Sequence, residues 1–175
     1  NNADFSLSNG SLTVNDSQFA SGKFKNSLGE ISFNNSQISS GKINASSGTI
    51  TLSNSQFASG EIANSLGEVN LNSSKISDST LKISSGSLNS EQLELAGTIS
   101  ITDQLGDINL HLVSGSLSQL SFDLKTDLGE IDIPSGISVE HSKGDELGGS
   151  AIRKVENPTT TLSASAQSGS IKLSE

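Results

Sequence analysis

Ser27-Leu28-Gly29-Glu30-Ile31-Ser32-Phe33 is followed 19 residues later by Ser46-Ser47-Gly48-Thr49-Ile50-Thr51-Leu52, and after the same interval by Ser65-Leu66-Gly67-Glu68-Val69-Asn70-Leu71. The glycine of this unit recurs without a break at Gly10, Gly29, Gly48, Gly67 and Gly86. Apolar columns keep the same step. Leu12, Ile31, Ile50, Val69 and Leu88 form one; Phe19, Ile38, Phe57, Ile76 and Leu95 a second; Phe24, Ile43, Ile62 and Leu81 a third. Like residues at one fixed period mean that each repeat is one structural rung stacked on the next, which is a solenoid.

Within each unit the residues alternate apolar and polar, as in Thr49-Ile50-Thr51-Leu52, and period two means strand. No helical stripe survives the density of glycine and serine. A second glycine column at 22, 41 and 60, continued by Ser79 and Gly97, marks a further corner. Asp16, Asn35 and Asn54 suit a third bend, because Asx side chains bond locally and tolerate the left-handed region. The expected fold is all-β: a single-stranded parallel β-solenoid with ~19-residue rungs about 4.8 Å apart, two or three short strands per rung, and about seven or eight rungs in all.

Residues 1–175 read as one domain, with 1–133 as stacked rungs. Ser-Leu-Gly-Glu at 27–30 returns at 65–68, and Gln104-Leu105-Gly106-Asp107 and Asp127-Leu128-Gly129-Glu130 follow with looser spacing. Carboxylates on alternate rungs avoid the repulsion that ~4.8 Å neighbours would suffer. From Pro134 to Pro158 the pattern is lost, so 134–160 is expected to be an irregular cap with one short strand at 137–140. Alternation returns in Ser168-Gly169-Ser170-Ile171-Lys172-Leu173, and 161–175 is expected to supply the final rung.

Apolar residues make up 31% of the chain, poor for a globular core but sufficient for a narrow solenoid with about four inward side chains per rung. A net charge of −9 without a Lys/Arg cluster argues against nucleic acid and against anionic membrane surfaces. No segment approaches the ~18 apolar residues of a membrane span, so direct insertion by this segment is not expected. The chain has no cysteine, which removes disulfides and thiolate metal sites. It begins with Asn, and the expectation is an extracellular or cell-surface ectodomain of a Gram-positive bacterium, tethered by a membrane segment outside this sequence.

Parts for catalysis are few. His111 lies in the alternating run Asn109-Leu110-His111-Leu112 and reads as an outward strand histidine. His141, with Asp145 and Glu146 nearby, lacks a preorganising motif and reads as surface loop. Calcium β-roll nonapeptides, threonine arrays and helix-leading phosphate loops are all missing. Lys23 and Lys42 stand in column with Glu61, beside Lys25 and Lys82, and read as a solvated face of mixed charge. No catalytic, metal or cofactor residue is assigned; the binding residues are unknown.

The unit Ser47-Gly48-Thr49-Ile50-Thr51-Leu52, repeated as Ser168-Gly169-Ser170-Ile171-Lys172-Leu173, together with the loop at 134–160 before a final Ser-Gly strand, resembles the bacterial adhesin domains of the Toastrack type over nearly the whole chain. The resemblance implies a single-chain β-helix, often attached to a membrane helix, associated with envelope stress sensing or surface adhesion and without catalytic residues. The family's acidic residue after glycine is replaced here by Thr49, Ser87 and Ser170. The expected function is a non-enzymatic interaction domain whose partner is a protein or another cell-envelope component. The alternatives are a carbohydrate-active β-helix enzyme, with Glu130, Asp132 and Asp127 as its acids, and a purely structural spacer.

Overall fold

The computed structural model describes residues 1–143 and 148–175. The chain is a parallel β-solenoid of about six turns at ~19-residue spacing. The early turns carry three strands and three corners, as in Ser21–Leu28, Ile31–Asn34 and Gln37–Ile38, and further along the strands run on through the corners, as in Gly60–Asn72 and Lys75–Glu91. The turns from Leu12 to Leu88 pair in parallel with no slip: Leu12 with Ile31, Ile31 with Ile50, Ile50 with Val69, Val69 with Leu88. The inward columns predicted from the repeat are the core, with Ile31, Ile43, Ile50, Phe57, Ile62, Val69 and Leu88 all inaccessible to solvent.

Three corner devices hold the winding. In the first, the glycine column approaches itself so closely that a Cβ on Gly48 or Gly67 would lie nearer to the carbonyl oxygen of the glycine below than the 3.0 Å real Cβ atoms keep. At the second, Asp16, Asn35, Asn54, Ser73 and Gln92 are all left-handed, with φ between 47° and 50°. Asn35 Nδ2 donates to Asp16 Oδ1 across the rungs at 3.2 Å. The next residue is a serine in four successive rungs, half-buried at Ser17 and buried at Ser36, Ser55 and Ser74, and it makes a ladder. Ser17 N donates to Ser36 Oγ at 3.1 Å, Ser36 N to Ser55 Oγ at 3.0 Å and Ser55 N to Ser74 Oγ at 3.1 Å, while each hydroxyl donates to a carbonyl of its own turn. The corner would otherwise bury amides without partners. At the third, the left-handed residues are Ser59, Asp78 and Gly97. Asp78 Oδ1 accepts from Thr98 N at 3.1 Å, which anchors the one-residue register shift between Ser77 and Ser79.

The N-terminal end of the stack is filled by rings. Phe24 packs edge-on against Phe19 and Phe33, with centroids 5.3 and 4.8 Å away, and stacks on Phe5 at 5.8 Å. These rings bury the end of the core, where a further apolar rung is lacking.

At the other end stacking order departs from chain order. The strand Thr160–Ser168 is inserted between Glu94–Leu105 and Leu120–Leu128, parallel to both, with Leu105 and Leu128 on either side of Ser168. Ile171–Ser174 likewise lies between Ile108–His111 and Ile131–Asp132. The expectation that 161–175 is the final rung is therefore corrected: last in the chain, it is next to last in the stack. About six turns are wound consecutively up to Gly106, and the inserted strand and Leu120–Leu128 each add a further level beyond them. The outer edge of Leu120–Leu128 pairs antiparallel with Gly149–Arg153, which pairs antiparallel with Glu140–Lys143. The strand expected at 137–140 lies at Glu140–Lys143 instead. Arg153 ties this hairpin down by donating from Nη1 to the carbonyl of Leu117.

Candidate functional site

Stacked in space, the glycine column runs Gly10, Gly29, Gly48, Gly67, Gly86, Gly106, Gly169, Gly129. With the inserted strand in place, the residue before the glycine alternates strictly along the stack: Leu28, Ser47, Leu66, Ser85, Leu105, Ser168, Leu128. The residue after it alternates in the same phase: Glu30, Thr49, Glu68, Ser87, Asp107, Ser170, Glu130. Two Leu-Gly-acid units that look nearly adjacent in the sequence, at 105–107 and 128–130, are thus separated by a Ser-Gly-Ser rung. The leucines recur every second rung, about 9.6 Å apart.

Inside this corner a third row keeps the phase. Asn26 and Asn64 are buried, and the Nδ2 of each donates to the carbonyl of the glycine one rung below, at 2.6 Å to Gly10 and 2.9 Å to Gly48. Each Nδ2 also reaches the carbonyl of its own acidic residue, at 3.3 Å to Glu30 and 3.1 Å to Glu68. Thr126 Oγ1 does the same to Gly169 at 2.8 Å. Ala45, Ile83 and Ala166 fill this row in the intervening rungs. The inner alternation has a structural purpose: it satisfies glycine carbonyls and leaves room between amides. The outer leucines have none, for Leu28, Leu66, Leu105 and Leu128 are 50–59% exposed and point away from the core. Single exposed leucines are ordinary, but a periodic row of them is not scattered surface.

Asp103 is the odd member of the inner row. It is 3% exposed between Ile83 and Ala166, and neither carboxyl oxygen has a full hydrogen bond. Burial pushes its carboxyl up to about 6, against the opposing pull of the Leu105 amide; the charge of Asp107 adds to the rise and the amide of Gln104 subtracts from it. A raised acid pKa means that the folded state holds the proton more tightly than the unfolded chain, so this site adds stability as pH falls through 6 and withdraws it above. Asp103→Asn, which copies Asn26 and Asn64, is expected to stabilise the chain at pH 7.5 by about 1–3 kcal/mol, the upper figure being the full shift and the lower allowing for water reaching the site. Between pH 6 and the ordinary aspartate value of 3.8 the gain should shrink, and at about pH 3, below both, it should vanish. Denaturant melts of both proteins across that range check it, and an equal pH response in the two would refute it.

The other candidates fall outside this edge. His111 is exposed, its Nδ1 3.0 Å from Ser174 Oγ. Asp145 and Glu146 lie outside the described residues, as does the side chain of His141; among the described residues no three His, Asp or Glu side chains could hold a metal ion. Asp127, Glu130 and Asp132 are exposed, and Asp132 faces Lys172 at 3.8 Å. Glu61 sits between Lys42 at 2.5 Å and Lys82 at 2.7 Å, whose hydrogen bonds hold its carboxyl below the usual range. Exposed pairs of this kind contribute little to stability. A shallow concavity beside Leu95, Leu112, Gly115 and Leu120 has Glu94 as its one charged group, already paired with Lys75 at 2.5 Å. Glu30, Glu68, Asp107 and Glu130, by contrast, make no ion pair among the described residues.

A family model described as Toastrack DUF4097 matches residues 2–174. The chain belongs to that family, a domain of unknown function. No curated protein and no solved structure matches it.

Proposed function

We propose that this Toastrack chain is a non-enzymatic interaction domain of a Gram-positive cell envelope, of the adhesin or stress-sensing kind, presenting a stiff rod to a protein or another envelope component at the cell surface. The observation that carries this reading is the leucine–carboxylate edge: half-exposed leucines and acids without an ion pair repeat at a fixed interval, and of these only Asp107 serves the stack, its Oδ1 accepting from Ser170 N at 2.8 Å. Surfaces that cost a protein solubility and bring no packing are kept for contact with something else. A rod of parallel rungs suits such contact, since it holds its surface groups at one spacing over its whole length.

The test is capture from solubilised envelope by the purified domain, with Leu66→Ser/Leu105→Ser as the comparison. A specific component retained by the parent and released by the variant is the expected result. Turnover of a glycan panel, abolished by Glu130→Gln, would replace this reading with the carbohydrate-active one. Capture of nothing would leave the rod a spacer.

A further inference from the structure

The charge and the spacing of the edge say what kind of partner it fits; this step rests on the reading just given. The four carboxylates Glu30, Glu68, Asp107 and Glu130 accompany Leu28, Leu66, Leu105 and Leu128, one acid across the glycine from each leucine. A second copy laid along the edge would set one such row of acids against another without a cation between them, so like charge disfavours self-association there. A partner with Lys or Arg beside its apolar groups is complementary.

The interval then discriminates among backbone shapes. Two rungs span about 9.6 Å. An α-helix returns to the same face after seven residues, or about 10.5 Å, so by the fourth leucine it is out of step by roughly 2.7 Å, more than half a side-chain width. A β-strand presents one face every ~6.7 Å and fails at the second leucine. A polyproline-II helix repeats every three residues at about 3.1 Å each, or 9.3 Å, and drifts by only about 1 Å over the whole edge. It has no internal hydrogen bonds, so its carbonyls remain free to accept from the hydroxyls of Ser47, Ser85 and Ser168, which stand half-buried in the gaps between leucines. Being extended before binding, it also loses little entropy on docking.

We propose that the Leu-Gly-acid edge binds a cationic polyproline-II segment, with an apolar or prolyl residue seated between leucines at every third position and a Lys or Arg beside it facing the carboxylates. The outermost leucines are about 29 Å apart, so about nine residues of such a segment span them.

The experiment titrates the whole chain with three fluorescent peptides: (Pro-Leu-Lys)4, its acidic counterpart (Pro-Leu-Glu)4, and a helical peptide of equal charge with Leu and Lys at seven-residue intervals. The expected order is (Pro-Leu-Lys)4 tighter than the helix by about threefold and tighter than (Pro-Leu-Glu)4 by about tenfold or more. Raising salt to ~0.5 M should remove most of the second difference and little of the first. Leu66→Ser/Leu105→Ser should weaken (Pro-Leu-Lys)4 by about tenfold with Tm unchanged, because serine already occupies this column in the neighbouring rungs. Glu30→Gln/Glu68→Gln should weaken it at low salt only. Equal affinity for all three peptides, or tighter binding of the helix, overturns the proposal. If envelope capture still depends on Leu66 and Leu105 in that event, the partner's shape was wrong and the interaction reading stands; if capture is also indifferent to them, both fall.

Discussion

Ile50→Asp is expected to cost about 5 kcal/mol or more and to unfold the central turns. Ile50 is wholly inaccessible and stacked between Ile31 and Val69, with no cation in the column. The substitution removes a buried aliphatic side chain and puts a carboxylate where neither water nor a counter-charge can reach it. A domain of ordinary stability has about 5–15 kcal/mol to lose. In a stack where each rung leans on its neighbours, the loss should appear as a lower-temperature transition with fewer residues remaining protected from amide exchange on either side of the site. Near-parental melting would mean that this column does not face inward.

Gly67→Ala is the second large effect, at about 4 kcal/mol, and it isolates the glycine contact from hydrophobic burial. Gly67 has φ +124°, where an L side chain is strained, and a Cβ there would collide with the Gly48 carbonyl. The strain costs about 1–3 kcal/mol and forcing the rungs apart a similar amount. Gly10→Ala supplies the control. Its φ is +100°, but nothing lies within 4 Å of a Cβ at that position, so only the conformational part remains, about 1–2 kcal/mol. Equal destabilisation of the two variants, measured by urea melts, would show that close approach of the rungs contributes nothing.

Much of this is legible in the sequence. The core columns, the glycine corner and the Asx bend at Asp16, Asn35 and Asn54 all repeat at 19 residues, and a strict period leaves one arrangement in which each column packs on itself. The Ser17, Ser36, Ser55, Ser74 column has the same period and was nonetheless passed over, because serine is so common in this chain that a serine column does not stand out against its background. The Asn26 and Asn64 pair also repeats at the 38-residue interval that was read only as spacing between Glu30 and Glu68; the amides bonding to glycine carbonyls give that interval a second, interior cause.

The recurrence of the edge leucines is legible in the sequence, but their exposure is not. By alternation Leu28 is in phase with the buried Phe24 and Asn26, which would put it inside; the chain turns at Gly29 before it can enter, and the side chain is left on the corner. Asp103 was hidden for the complementary reason. Alternation puts Asp103 in phase with the buried Ile99 and Ile101, but a carboxylate reads as surface by its chemistry, and pairing with Ile83 and Ala166 shows that it is enclosed.

By itself, then, the sequence determined the rung: its length, its corners, the apolar residues of the core columns and the column each one joins. These follow from local backbone preferences and from a period that the chain states repeatedly, so neighbours in the stack are neighbours in the repeat. Tertiary structure alone decided the order of the last levels. Direct stacking of 120–132 on 94–111 would bring Asp107 against Glu130 and Leu105 against Leu128, only about 4.8 Å apart. Placing Ser168-Gly169-Ser170 between them separates the charges, sets Ala166 between Asp103 and Thr126, and carries the alternation of the corner through to the end of the rod. That choice is a comparison of long-range pairings among similar strands, and it is made by the fit of whole rungs to one another, which no stretch of sequence read alone contains.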